Sequence, residues 1–346
     1  MSRRLRFGIV GTGAIAKSYE AAFRGLEGVS LVAACDVDVN AAWGFSERVG
    51  SCRAYTSYEE MAVTEDLDAV IVCTPPFTHE QIAVYFLDRG IAVLCEKPLT
   101  LTVPSALRML DAAQRNESVF TMASKFRYVA DVQRARELVE ANEIGDIVLI
   151  ENAFTSRVDM SARWNCDAKR SGGGVLIDNG THSVDILRYF LGALSDVQIF
   201  DAKRIQGLAV EDTVSLYVRS ESGVIGTADL SWSIDKELDT FLRIYGSRGT
   251  ILVGWKESRY RVSGETEWRV FGSGYDKVQA FRSQILNFCD AIRGDGELMI
   301  TPLDALASVE VINAAYAALE HSHWDSIRHV IDDVIAFPAS THAEAS

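Results

Sequence analysis

Membrane-spanning segments, paired cysteines and an excess of positive charge are all missing from this sequence. Its uninterrupted apolar runs are only a few residues long, far short of the ~20 residues that a transmembrane helix requires. The arginines near its start precede a short apolar run and a glycine turn, without the long apolar region of a secretory signal peptide. We therefore expect neither a membrane partner nor secretion.

The six cysteines include no C-x-x-C pair. Several lie in apolar, strand-like runs, which is typical of small buried side chains in a reducing compartment, so we expect a cytoplasmic protein. The 34 Lys and Arg residues stand against 48 Asp and Glu residues, a net charge of −14 without long charged blocks. This charge argues against a nucleic-acid partner.

The 346 residues suffice for two domains of roughly 100–200 residues each. The sequence pattern divides the chain into residues 1–124, residues 125–337 and a tail, residues 338–346, whose composition predicts disorder. Neither an internal repeat nor a Gly/Ser-rich linker is visible, so the boundary near 124 marks a change of topology.

The first motif is a strand, a glycine-rich turn and a helix. The apolar run Leu5–Val10 leads into Gly11-Thr12-Gly13-Ala14-Ile15-Ala16 and then a helical pattern. The first glycine allows a tight turn, the second allows a pyrophosphate to approach, and the small third residue allows close helix packing. A second apolar run ends at Asp36, whose carboxylate can accept hydrogen bonds from the adenosine ribose. These features predict a dinucleotide site that prefers NAD to NADP.

Further apolar runs predict a doubly wound parallel sheet. Ile91–Leu99 runs from apolar residues straight into Glu96-Lys97-Pro98, and Ala69–Cys73 runs into Thr74-Pro75-Pro76. Such runs are typical of parallel strands that are covered on both faces. Ligands bind at the carboxyl edge of such sheets, so Lys97 is expected there. His79 either lines the same edge or contacts only backbone.

Beyond Ala123 the pattern changes to that of an α+β domain. Residues 155–172 form an irregular, basic stretch around Trp164 in an otherwise acidic chain. Between residues 197 and 271 apolar and polar residues alternate, most clearly in Thr213–Ser220. This alternation predicts a large, open, mostly antiparallel sheet with one free face. Apolar residues on that face, such as Ile225, predict a homo-oligomer.

Asp178 and His182 are four residues apart in a polar segment that follows three glycines. On an α-helix they would share a face, where the carboxylate could orient the imidazole and stabilise its charged form. An ordinary solvent-exposed pair is the alternative. A metal centre is not predicted, because neither a cysteine pair nor an H-E-x-x-H pattern accompanies these residues.

Together these segments resemble the motif series of the Gfo/Idh/MocA oxidoreductases, the family of glucose-fructose oxidoreductase and inositol dehydrogenase. The similarity lies in GTGAIA, CTPPFTH, CEKP and SGGGVLIDNGTHSVD, and it extends over nearly the whole chain. It implies an N-terminal Rossmann domain, a C-terminal α/β domain with a large open sheet, and a nicotinamide cofactor in the cleft between them. It also implies face-to-face dimers or tetramers.

The resemblance further implies roles for individual residues. Lys97, Asp178 and His182 would form the catalytic group and touch the substrate, with Arg127 near them. Trp164 belongs to the stretch that would contribute to substrate specificity. Residues near the cofactor would include Thr74, Pro75, His79, Glu96 and Lys97.

The favoured function is hydride transfer between NAD and a secondary alcohol of a sugar, cyclitol or nucleotide-linked sugar. A non-catalytic NAD-binding regulator and a redox-neutral enzyme with tightly bound NAD are the alternatives. Histidine, with an ordinary pKa of about 6.5, suits a proton acceptor, which favours His182, while Lys97 would hydrogen-bond the same oxygen. These two roles can be exchanged, and the sequence leaves the substrate and the direction of reaction open.

Overall fold

A computed structural model describes residues 3–321, which fold around two β-sheets. The predicted tail, residues 338–346, and the end of the second predicted domain lie outside the described residues. Between residues 3 and 321, no helix combines the length and the apolar character that crossing a membrane requires.

In the described chain, the first sheet is built from six strands: β1 (Leu5–Val10), β2 (Val29–Cys35), β3 (Arg53–Tyr55), β4 (Ala69–Val72), β5 (Ala92–Glu96) and β6 (Phe120–Ala123). All are parallel and lie in the order β3–β2–β1–β4–β5–β6. This is the order of a doubly wound dinucleotide-binding fold, in which a crevice opens where the winding reverses, here between β1 and β4. The predicted parallel sheet is confirmed.

Along the chain, the helices of the first domain alternate with these strands: α1 (Ala16–Phe23), α2 (Val39–Val49), α3 (Tyr58–Thr64), α4 (His79–Leu87) and α5 (Val103–Arg115). Local sequence fixes several of their starts. The side chains of Asp38, Ser57 and Thr102 accept backbone N–H groups at the beginnings of α2, α3 and α5, which satisfies donors that a helix leaves unpaired.

The next helices in the chain are α6 (Ala130–Glu140), α7 (Ala168–Ser171) and α8 (Thr181–Leu191). A π-helical turn, Leu176–Gly180, leads directly into α8. This segment carries the polar motif that follows the three glycines.

Within residues 3–321, the second sheet contains eight strands: β7 (Ile147–Thr155), β8 (Leu194–Asp201), β9 (Thr213–Ser220), β10 (Ile225–Ser231), β11 (Thr240–Gly246), β12 (Gly249–Gly254), β13 (Ser258–Val262) and β14 (Arg269–Gly272). Their order is β14–β13–β12–β11–β7–β10–β9–β8. β7 and β10 are parallel, whereas the other neighbouring pairs are antiparallel. The predicted, mostly antiparallel sheet is confirmed.

The two faces of the second sheet differ in their cover. Helices α6 and α8 pack against one face, where Leu216 of β9 is completely buried. The next residue along β9, Tyr217, points to the other face and is 43% exposed. Ile225 of β10 lies on that open face as well, 37% exposed.

The last helices described, α9 (Lys277–Arg293) and α10 (Pro302–Glu320), pack on opposite faces of the first sheet. Phe281 of α9 is buried with α1 and β1, whereas Val309 of α10 is buried with α4 and α5. Further along α10, Ile312 belongs to the core of the second domain. The boundary at residue 124 stays a prediction, but residues far beyond it complete the first core.

Candidate active site

The turn after β1 contains two glycines that are needed for different reasons. Gly11 has a φ of +91°, and a Cβ on it would lie 2.7 Å from the backbone of Cys73, so the end of β4 leaves no room. Gly13 lies outside the left-handed region, and a Cβ on it would meet no atom of residues 3–321 within 4 Å. Packing within the protein therefore does not explain Gly13, whereas the close approach of a diphosphate would.

Asp36 follows β2 and is held by the glycine-rich turn. Its Oδ2 accepts hydrogen bonds from the backbone N–H of Thr12 at 2.7 Å and from the Thr12 hydroxyl at 3.0 Å. Its Oδ1 accepts the N–H of Asp38 at 3.0 Å. Thr12, which belongs to the predicted cofactor-binding turn, is 6% exposed, and its two hydrogen bonds orient Asp36. A carboxylate fixed in this position suits the hydroxyl groups of a ribose.

Lys97 follows β5 and reaches across to the second domain. Its Nζ lies 2.5 Å from Asp178 Oδ1 and donates to the backbone carbonyl of Asp178 at 3.0 Å. An ammonium group has three N–H donors, so one remains available after these two bonds. The ion pair thus joins two of the predicted catalytic residues, which are 81 positions apart in the sequence.

The expected contact between Asp178 and His182 is not observed, which corrects that prediction. Asp178 lies in the π-helical turn, where hydrogen bonds close from i to i+5, so residues four apart do not stack as they do on an α-helix. Asp178 turns to Lys97 instead. Nδ1 of His182 is buried without a hydrogen-bond partner among residues 3–321.

The polar contact of His182 is with Lys125, in the short helical turn after β6. The Nζ of Lys125 lies 3.4 Å from Nε2 of His182. Burial, helped by the charge of Lys97, lowers the pKa of Lys125 to about 8. Burial and the charges of Lys125 and Lys97 hold the pKa of His182 well below its ordinary value, so this imidazole is neutral at pH 7. Sequence reasoning missed Lys125, because no local motif marks it.

His79 joins the turn after β4 to the turn after β5 through backbone carbonyl oxygens at the edge of the parallel sheet. It is 1% exposed, and its Nε2 lies 2.7 Å from the carbonyl oxygen of Thr74. Its Nδ1 lies 3.1 Å from the carbonyl oxygens of residues 98 and 99. Burial lowers the pKa of His79. Of the two interpretations left open, the contact with backbone is therefore the one observed.

Arg127 and Trp164, both predicted near the substrate, occupy different environments. Trp164 is 40% exposed and lines the cavity described below. Arg127 is 3% exposed and pairs with Asp185 of α8 at 2.8 Å and with Asp304 of α10 at 3.6 Å. It lies outside the cavity lining and ties these helices together.

A cavity of about 760 Å³ lies along the carboxyl edge of the parallel sheet and beneath the second domain. Volumes of this size are typical of ligand sites. The lining follows the strand order, from Asp36 after β2, past the glycine turn, to the Lys97–Asp178 pair beyond β5. It includes these further predicted residues: Gly11, Gly13, Ala14, Ile15, Thr74, Pro75 and Glu96. Among the described residues, no group of three His, Cys, Asp or Glu side chains is placed to hold a metal ion.

Two consecutive segments of the chain match two family models. Residues 5–124 match an oxidoreductase family with an NAD-binding Rossmann fold. Residues 132–252 match the GFO/IDH/MocA C-terminal domain. Together the matched segments cover well over half of the sequence.

Individual relatives and solved structures agree with these matches. Trans-1,2-dihydrobenzene-1,2-diol dehydrogenase of Mus musculus is 29% identical over 75% of this chain and 78% of its own length. Inositol 2-dehydrogenase of Rhizobium meliloti (strain 1021) is 26% identical over 93% of this chain and 99% of its own. The structure of GenD2 from gentamicin A biosynthesis, in complex with NAD, has a TM-score of 0.81 and 27% identity, with 92% of this chain and 95% of that chain covered. With both of its domains matched in order, this chain belongs to the Gfo/Idh/MocA family of oxidoreductases.

Proposed function

We propose that this protein is an NAD-dependent dehydrogenase acting on a secondary alcohol of a sugar, cyclitol or nucleotide-linked sugar. The observation that carries the proposal is the Lys97–Asp178 ion pair, which lines the same cavity as Gly13 and Asp36. A dinucleotide that begins at Asp36 and crosses the glycine turn would extend toward this pair. The names of relatives, inositol 2-dehydrogenase among them, support a substrate with several hydroxyl groups.

Lys97 and Asp178 can together remove the hydroxyl proton of the substrate. The free N–H donor of Lys97 can bond the reacting oxygen and stabilise an alkoxide as it develops. When Lys97 passes one of its protons to Asp178 Oδ1, 2.5 Å away, its neutral amine gains the lone pair that can accept the hydroxyl proton. The pair then holds one additional proton, and no additional charge accumulates on the lysine. NAD, when bound, supplies the hydride acceptor.

The position of His182 supports assigning proton transfer to Lys97. His182 is 6% exposed and lies outside the cavity lining, in contact with Lys125. A proton acceptor must come within hydrogen-bond reach of the substrate. Of the two assignments that the sequence leaves open, we therefore favour Lys97.

A substrate screen tests the proposed activity. Polyols, free sugars and nucleotide sugars are mixed with the protein and NAD, and formation of NADH is followed by absorbance. We expect reduction of NAD by members of one of these classes. If NAD binds but none of these alcohols reduces it, and the corresponding ketones do not oxidise NADH, the non-catalytic regulator becomes the better interpretation.

The preference for NAD forms a separate part of the proposal. Asp36 can accept hydrogen bonds from the ribose hydroxyls, and its charge would repel the 2′-phosphate of NADP. NAD should bind at least about tenfold more tightly, a difference of about 1.4 kcal/mol. Calorimetric titration of the two cofactors measures this ratio, and equal affinities would contradict the proposal.

We also propose that the protein assembles into homodimers or homotetramers through the open face of the second sheet. Tyr217 and Ile225 are exposed there, and broad surfaces with apolar side chains often mark interfaces. Light scattering at micromolar protein concentration gives the mass of the particle. A monomer mass would contradict this assignment.

A further inference from the structure

Positively charged side chains gather in the cavity of this acidic protein. In the part of the chain that the structure describes, the cationic residues of the lining are Lys97, Arg163, Arg170 and Lys277. Of these, only Lys97 forms an ion pair with another residue of the described chain. The whole sequence carries a net charge of −14, so an uncompensated group of cations needs a specific explanation.

The acidic residues that lie near these cations in sequence hold backbone groups instead. Each accepts a backbone N–H from a residue two or three positions later: Asp159 from Ser161 at 2.9 Å, Asp167 from Lys169 at 3.0 Å and Asp276 from Gln279 at 3.0 Å. The last two of these bonds cap α7 and α9. Within residues 3–321, none of these three carboxylates forms an ion pair with Arg163, Arg170 or Lys277.

The carboxylates of the cavity lining are engaged as well. Asp36 accepts from Thr12, and Asp178 holds Lys97. Glu96 accepts the hydroxyl of Tyr19 at 2.8 Å, and burial raises the pKa of this carboxyl group. Within residues 3–321, no carboxylate of the lining forms an ion pair with Arg163, Arg170 or Lys277, and only Asp178 forms one with Lys97.

The cofactor accounts for part of this positive charge. A diphosphate would lie at the glycine turn and the start of α1, where it can use one of the arginines. Lys277 begins α9 and lines the same cavity as Lys97. Helix α9 packs against the short helical turn that begins with Lys125, where Gln279 donates to the carbonyl oxygen of Tyr128 at 3.2 Å. These contacts place the start of α9 at the Lys97 end of the cavity, and burial, with the charges of Lys97 and Lys277, lowers the pKa of Lys125.

We propose that the substrate carries an anionic group, a carboxylate or a phosphate monoester, and that Lys277 binds it. This inference rests on the proposed dehydrogenase function, and it narrows the substrate to acidic or phosphorylated sugars and polyols. Arg163, which precedes a short helical turn, and Arg170 of α7 also line the cavity and add to the same positive field. A charged group that pairs with these cations forms stronger hydrogen bonds than a neutral hydroxyl does.

Matched pairs of sugars test the inference by binding. The probes are D-glucuronate against D-glucose, D-galacturonate against D-galactose, and glucose-6-phosphate against glucose. Each is titrated by calorimetry into protein saturated with NADH, and each is also tested for reduction of NAD. We expect the anionic member of at least one pair to bind at least about tenfold more tightly than its neutral partner. The uronates and the phosphate ester distinguish the two anionic groups.

Variants of single lysines identify the side chain responsible. Lys277→Met should reduce the anionic-to-neutral affinity ratio at least about tenfold, whereas Lys277→Arg should retain most of it. Lys203→Met is the matched control, because Lys203 is exposed and lies outside the cavity lining, and it should leave the ratio unchanged. The ratio cancels any general effect of the substitution on folding.

The outcomes separate this inference from the proposed activity. Equal or weaker binding of the anionic member in every pair, or failure of all probes to bind, overturns the inference. A ratio that is the same in Lys277→Met and in the unchanged protein overturns the role of Lys277. Preferential binding of anions without reduction of NAD would support the anion site and count against the dehydrogenase. Oxidation of the neutral members alone would support the dehydrogenase and count against the anion site.

Discussion

Lys97 and Lys125 both contact the segment formed by the π-helical turn and α8, but in different ways. Lys97 pairs with the carboxylate of Asp178 and lines the cavity, whereas Lys125 contacts the imidazole of His182 and does not. The first pair contains a compensating negative charge. The second contains none, so burial makes protonation unfavourable for both of its members. Two lysines close in space are therefore suited to different tasks by their partners and their access to the cavity.

Among substitutions in these two pairs, the replacement of Lys97 should cause the largest loss of turnover. Lys97→Met removes both the hydrogen bond to the reacting oxygen and the proton acceptor, so turnover should fall by about 10²–10⁴-fold. The affinity for NADH, measured by fluorescence titration, should change little. Turnover within tenfold of that of the unchanged protein would show that Lys97 does not carry the proton transfer.

Asp178→Asn should have a smaller effect. The amide keeps the shape of the side chain but cannot accept the proton that Lys97 passes on, so turnover should fall by about 10–10²-fold. Steady-state kinetics over a range of pH measures the loss. If Asp178→Asn were more damaging than Lys97→Met, the carboxylate itself would be the better candidate for the proton acceptor.

A still smaller loss of turnover is expected from His182→Gln, about tenfold or less, because the imidazole lies outside the cavity lining. The pH profile of turnover in His182→Gln should keep its acidic limb, because only the loss of the proton acceptor itself should abolish that limb. A loss as large as that of Lys97→Met would contradict the contrast between the pairs and return the role of proton acceptor to His182.

Lys125→Met should stabilise the protein. The pKa of Lys125 falls from 10.5 to about 8 on folding, which costs about 3 kcal/mol at 1.36 kcal/mol per unit. Below pH 8, Lys125 is protonated in both the folded and the unfolded protein, so the full free-energy cost of burying its charge applies. Between pH 8 and 10.5 the unfolded chain holds the proton longer, so the cost disappears as the pH rises.

Urea denaturation at pH 7 and at pH 9.5 measures this effect. The free energy of unfolding of Lys125→Met should exceed that of the unchanged protein by up to about 3 kcal/mol at pH 7, and by less at the higher pH. Lys203→Met, which removes an exposed charge, serves as the control. Equal or lower stability of Lys125→Met at pH 7 would show that the buried charge of Lys125 does not destabilise the folded protein.

The fold and the half of the cavity that we propose for the cofactor, around Gly13 and Asp36, could be predicted from sequence, because their signals are local. A glycine turn between a strand and a helix, and an acid at the end of the next strand, fix Gly13 and Asp36 at one edge of the sheet. Alternating residues in β9 likewise predicted a sheet with one open face. Each of these patterns lies within a short stretch of chain.

The half of the cavity around Lys97, where we propose that the reaction takes place, could be predicted only in part, because its contacts join distant segments. The i,i+4 spacing predicted that Asp178 orients His182, but a single π-helical turn redirected the carboxylate to Lys97. Lys125 reaches His182 from 57 positions away, without a motif of its own. Arg127 matched a family position, yet it pairs with the buried Asp185 of α8 and the partly exposed Asp304 of α10, outside the cavity lining.

The packing of α9 and α10 on the first sheet has a consequence for synthesis of the chain. Phe281 and Val309 complete the two sides of a core whose strands end at residue 123. At about 5–20 residues per second, a ribosome needs about 8–30 s to progress from residue 124 to residue 277. During that interval the emerging dinucleotide domain exposes apolar surface on both faces of its sheet, so it should bind chaperones until its last helices arrive.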